Sequence, residues 1–124
     1  VTAGAKARQT IANAVTGPVT VEGATVTVTG YPSRPQTPAT WDAWPWLSSV
    51  DGINAYGATF TWDVYVVLPA GDPGATADAV DALIDALWTR LWAANAPINR
   101  VATGQLIFDP NSPPVPALKF NVTV

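Results

Sequence analysis

The chain has no cysteine, no histidine and no methionine, and only 12% of its residues are charged. Without cysteine there is no disulfide framework and no thiolate nucleophile. Without histidine the commonest general base is missing, and with it the Ser-His-Asp and Cys-His arrangements. Zinc sites of the usual ligand sets need one or the other residue. No glycine-rich phosphate loop follows a strand pattern. No apolar run approaches the ~20 residues of a membrane-spanning helix, and the N-terminus lacks a basic flank leading into an apolar core, so neither a span nor a signal peptide is expected. The basic residues Lys6, Arg8, Arg34, Arg90, Arg100 and Lys119 are scattered along a chain of net charge −3. Gripping a phosphate backbone requires them clustered, which argues against nucleic-acid binding.

What chemistry remains is carboxylate chemistry. Asp63 sits on the polar face of a strand pattern, where an exposed or interface position is the expected role. Asp78, Asp81 and Asp85 share one face of a helix pattern. Such a trio can in principle hold a hard cation, but acids on that face read as a solvated surface, and those near the helix N-terminus interact well with its dipole. The expectation is therefore a non-enzyme with no metal and no cofactor.

Against these shortages, 48% of the chain is hydrophobic and the mean hydropathy is +0.19. A low-charge, apolar chain of 124 residues fits one domain, residues 1–124, with one core. Part of its surface is expected to be covered by a partner.

The order of elements is legible in pieces. Thr2 to Val15 is alanine-rich with an Ile11/Val15 apolar pair, a first helix ended by Gly17-Pro18. Val19 to Thr29 alternates valine with polar residues, a strand pattern interrupted at Gly23-Ala24 by either a hairpin turn or a bulge. Gly30 to about Ala58 carries Pro32, Pro35, Pro38 and Pro45 with Trp41, Trp44 and Trp46. It reads as a long stiffened loop, too rich in tryptophan for simple disorder. Thr59 to Leu68 is the clearest strand, with Phe60, Trp62, Val64, Val66 and Leu68 on the core face. Asp72-Pro73 and Thr76 are competing start signals for a second helix running to about Ala94. Its apolar stripe is Val80, Leu83, Ile84, Leu87 and Leu91, flanked by Trp88 and Trp92, and Pro97 marks its exit. Gln105 to Phe108 is a short strand, Asp109 to Pro114 a rigid connection, and Ala117 to Val124 a closing strand with Leu118, Phe120, Val122 and Val124 inward. No internal repeat is found. The sum is an α+β fold: a mostly antiparallel sheet of four to five strands flanked by two helices, with a long Pro/Trp-rich loop.

Six tryptophans are unusual in a chain this size. Trp62, Trp88 and Trp92 lie on regular elements and are expected in the core. Those of the loop admit three readings: a stacking platform for sugar or single-stranded nucleic acid, an interface anchor, or local burial. The candidate interface residues of the loop are Tyr31, Pro35, Trp41, Trp44 and Trp46.

The stretches Thr27–Pro32 (Thr-Val-Thr-Gly-Tyr-Pro), Ala43–Trp46 (Ala-Trp-Pro-Trp) and Thr61–Pro69 (Thr-Trp-Asp-Val-Tyr-Val-Val-Leu-Pro), with the helix and closing strand that follow, resemble the small tail-assembly proteins of long-tailed actinobacterial phages that are usually assigned as tail terminators. The resemblance spans most of the chain and rests on pattern and order. It implies a structural virion protein at the neck, assembled in the host cytoplasm. Such a protein forms a ring, typically a hexamer, on the head-proximal end of the tail tube, stops tube polymerisation and joins the tail to the head–tail connector. Its implied partners are further copies of itself, the major tail tube protein and the connector or stopper protein, with DNA passing through the lumen unbound. A head–tail stopper or completion protein is the alternative within this class, and a carbohydrate-binding module the alternative outside it. Prolines Pro113, Pro114 and Pro116 match no feature of the family.

Overall fold

The computed structural model describes residues 2–70 and 73–124. Two helices and six strands follow in the order α1 (Ala3–Val15), β1 (Gly17–Val21), β2 (Ala24–Gly30), β3 (Asp42–Asn54), β4 (Gly57–Val67), α2 (Pro73–Ala93), β5 (Ile98–Leu106) and β6 (Val115–Thr123). The strands form one curled mixed sheet ordered β1-β2-β3-β4-β6-β5. Every pairing is antiparallel except β2 with β3, which run parallel over only two residue pairs. The fold is α+β as expected, with one or two strands more than expected.

Both helices bury their apolar stripes in one shared core. Ala7, Ile11 and Val15 of α1 and Ala79, Leu83, Leu87 and Leu91 of α2 meet Val19, Val28, Trp62, Val64, Val66, Leu118, Phe120 and Val122 from the sheet. Period-2 alternation puts every second residue of β4 and β6 on this face. Each fully buried Leu, Val or Phe contributes ~1.5–3 kcal/mol relative to exposure. Thr2 caps α1 by accepting a hydrogen bond from the Ala5 amide at 3.1 Å, the usual task of a threonine at that position. Asp72 lies outside the described residues. The other proposed start signal, Thr76, sits inside α2, where its hydroxyl donates to the Pro69 carbonyl at 3.1 Å.

Four expectations are corrected. The segment from Gly30 to Ala58 is not one loop: only 31–41 is irregular, and β3 occupies most of the rest. Pro45 was the obstacle, since proline is excluded from central strands. Here the Ala43 carbonyl accepts from the Tyr31 amide on the β2 side at 2.8 Å. By alternation Pro45 turns its nitrogen to that same side, where β2 has already diverged and no donor is needed. The first hairpin turns at Glu22-Gly23, one residue earlier than expected, because Val21 pairs with Ala24. Both turn residues have positive φ, 48° and 79°, the primed geometry that matches strand twist. β5 begins at Ile98 and ends at Leu106, ahead of Phe108. Finally, Trp88 and Trp92 are not core residues: they are 48% and 52% exposed.

Candidate assembly surfaces

β3 and β4 outrun the rest of the sheet. β2 leaves β3 after Ala43, and β6 pairs with β4 only from Thr61 to Val67. The hairpin beyond these points is a two-stranded arm with both edges unpaired. Residues 51–59 are all exposed, and Ile53 and Tyr56 stand at its end, Tyr56 fully so. An isolated two-stranded hairpin is marginal in water, and unpaired strand edges are templates for pairing with another chain. Bulges at Leu47/Ser49 and Asp51/Asn54 twist the arm. At the tip the Asn54 side chain accepts from the Tyr56 amide at 2.8 Å.

The candidate loop residues are dispersed by this arrangement. Tyr31 and Pro35 are half-buried in the 31–41 connection. Trp41 has φ 72° and packs against the main core. Its amide donates to the Val67 carbonyl at 2.8 Å and its carbonyl accepts from the Thr29 amide at 3.2 Å, so it splices β2 to β4 at the mouth of β3. Trp44 is 3% exposed although it lies on the sheet face away from the helices. It is covered by Tyr65 and Phe108, with ring centroids 6.0 and 6.1 Å away, and the Arg34 guanidinium caps Phe108 at 5.0 Å. Trp46, two residues on, is 61% exposed. Trp44 and Trp46 line the same small cavity with Arg34 and Phe108, whereas Trp41 is elsewhere. The three side chains do not form a joint stacking platform.

The open face of the sheet continues as a polar ladder. Asn121 donates to the Asp63 carboxylate at 2.9 Å, and Asn99 donates to Asn121 at 3.1 Å and to Thr123 at 2.9 Å. Asp63 lines the cavity there beside Arg100 and Lys119. Burial, and secondarily the Asp63 charge, push the Tyr65 phenol above its ordinary value, so it stays neutral at physiological pH. Among the described residues no group of three acidic side chains is placed to hold a metal ion, and no helix is long and apolar enough to cross a membrane.

A third cavity, of about 300 Å³, opens where β2 and β3 part. It is lined by Arg8 of α1, by Ser33 and Arg34 of the connection, and by Trp46, Leu47 and Trp62 of β3 and β4. Trp62 is 1% exposed, and its indole N–H is the one buried side-chain polar atom without a hydrogen-bond partner among the described residues. No sequence signal marked Arg8 and Arg34 as neighbours, because their meeting depends on α1 lying across the gap between two parallel strands. The exposed pair Trp88 and Trp92 on α2 was likewise assigned inward, since a helix pattern alone does not fix how wide a face the sheet will cover. No protein-family description, no curated protein and no solved structure matches this chain.

Proposed function

We propose that this chain is a structural subunit that assembles with copies of itself into a ring at the head-proximal end of a phage tail tube, acting as a tail terminator. The observation that carries the assembly reading is the β3–β4 arm, with unpaired edges and the apolar residues Ile53 and Tyr56 held in water. Further exposed apolar side chains are Trp46 and Leu47 at the arm's base, Ile107 in the β5–β6 connection, and Trp88 with Trp92 on α2. Tryptophan and tyrosine are enriched among residues that dominate interface energetics, and a head-to-tail ring requires two different patches on each subunit. The sequence resemblance narrows assembly to the tail terminator. Partners are the tube protein and the connector, with no catalysis and no cofactor.

Electron microscopy of tail tubes polymerised with and without the purified protein tests the reading. Added protein is expected to cap tubes at one end as a ring and to limit their length. Binding along the tube wall, or no binding, contradicts it. A stopper or completion role predicts a ring that binds the connector and leaves tube length unchanged. Of the three loop tryptophans weighed for glycan stacking, Trp46 is the openly exposed one.

A further inference from the structure

The two patches of a head-to-tail contact can be named. At ~3.6 residues per turn, Asp81, Asp85, Trp88 and Trp92 of α2 follow one another at i, i+4, i+7 and i+11, so two exposed carboxylates and two half-exposed indoles form one continuous stripe. Arg90 marks the opposite flank of the same helix: its guanidinium donates to the Val15 carbonyl at 3.4 Å and to the Pro18 carbonyl, tying that flank to the α1–β1 corner. The stripe therefore faces away from α1. The cavity at the parting of β2 and β3 has the complementary character. It is concave, it brings Arg8 and Arg34 together beside the apolar Trp46 and Leu47, and it holds the partnerless N–H of Trp62. Neither arginine is paired with a carboxylate among the described residues. Within one molecule the stripe lies on α2, whereas the cavity is lined from α1, the 31–41 connection, β3 and β4.

We infer that the α2 stripe of one copy docks into the Arg8/Arg34 cavity of the next, an indole entering the cavity while Asp81 and Asp85 meet the two guanidinium groups. The occupant is a second copy of this chain because the cavity offers two arginines with no acid among its lining residues, and the stripe exposes two acids beside indoles that suit its apolar wall. A volume of about 300 Å³ is at the low end for small-molecule sites and accommodates one bulky side chain. A burial of paired charges at the edge of an aromatic anchor sets register and partner choice as well as strength. The inference rests on the self-assembly reading above and specifies its contact.

Two experiments on the full chain test it. The first is light scattering of charge-reversal variants. Asp81→Arg/Asp85→Arg and Arg8→Asp/Arg34→Asp are each expected to weaken self-association by about tenfold or more. A chain carrying both sets recovers it. The second uses the absence of native cysteine. With an added thiol oxidant as electron acceptor, Ser33→Cys protein mixed with Thr89→Cys protein, which keeps both acids of the stripe, is expected to form the mixed disulfide about tenfold faster than Thr27→Cys protein mixed with Thr89→Cys protein. This comparison stays informative if a charge variant folds poorly. An oligomer that is indifferent to the charge reversals and cross-links equally at Ser33 and Thr27 overturns this contact and leaves the ring reading standing. A wild-type chain that does not self-associate, together with cysteine variants that cross-link in neither pair, overturns both.

Discussion

At Gly30 the backbone of β2 runs close against the end of α1. A Cβ there would stand 2.1 Å from the Ala12 carbonyl oxygen and 2.8 Å from both Thr16 Oγ1 and Val15 Cγ2. The same spot holds a relay in which Thr16 donates to the Ala12 carbonyl at 2.7 Å and accepts from the Gly30 amide at 2.9 Å. Gly30→Ala must move backbone, and overpacking of this kind costs ~1–3 kcal/mol or more. A denaturation midpoint lowered accordingly, with an unchanged m-value, is the expected result. Tyr65 gives a pH prediction. Its folded-state value is raised, mainly by burial, so above the ordinary tyrosine range the unfolded chain gives up its proton first. Its contribution is fully present below that range and is lost as pH rises through the folded value. Tyr65→Phe is expected to flatten the alkaline fall in stability, read as melting temperature against pH, and to leave the neutral region unchanged in slope.

Among elements, α2 ends by a mechanism visible in its backbone. The Ala96 amide donates to the Leu91 carbonyl at 2.9 Å and the Asn95 amide to the Trp92 carbonyl at 3.1 Å, with Asn95 at φ 57°. This is the Schellman arrangement, and its hydrophobic contact is supplied by Leu91 and Ala96, both fully buried. Asn95→Gly is expected to hold or raise stability by a few tenths of a kcal/mol, and Asn95→Val to lower it by ~1–2 kcal/mol; chemical denaturation distinguishes them. The β3–β4 arm behaves in the opposite way. Ile53→Ser/Tyr56→Ser removes apolar surface that nothing in the chain covers, so the stability change stays within ~0.5 kcal/mol, while self-association or tube capping falls. The elements also show where sequence stops being informative. β4, β6 and both helices declare themselves because one face of each is continuously buried and the period is clean. β3 was hidden because Pro45 and the bulge at Leu47/Ser49 break its alternation, and because its edge is open. The first part of β5 was hidden because it is an edge strand with no buried residue, its positions being either half-buried or exposed. Of the candidate interface residues, the sequence singled out Trp46 with its neighbours but had no means of telling it from Trp44, whose burial depends on Phe108 arriving from more than sixty residues away.

For the whole molecule, a shortage of charge and an excess of exposed aromatic surface point the same way. The two helices and the sheet complete one core, and what is left over is an arm without sheet neighbours, a cavity holding two arginines and a helix stripe of acids and tryptophans. Unlike patches on different elements are what the proposed head-to-tail ring requires of each subunit. The mass of the purified protein in solution, by size-exclusion chromatography with light scattering over a range of concentration and salt, tests this most directly. The account predicts a discrete closed multiple of the 12.9 kDa subunit, six in the ring the resemblance implies, that weakens as salt screens the charged contact. A 12.9 kDa monomer at every concentration and salt would contradict it.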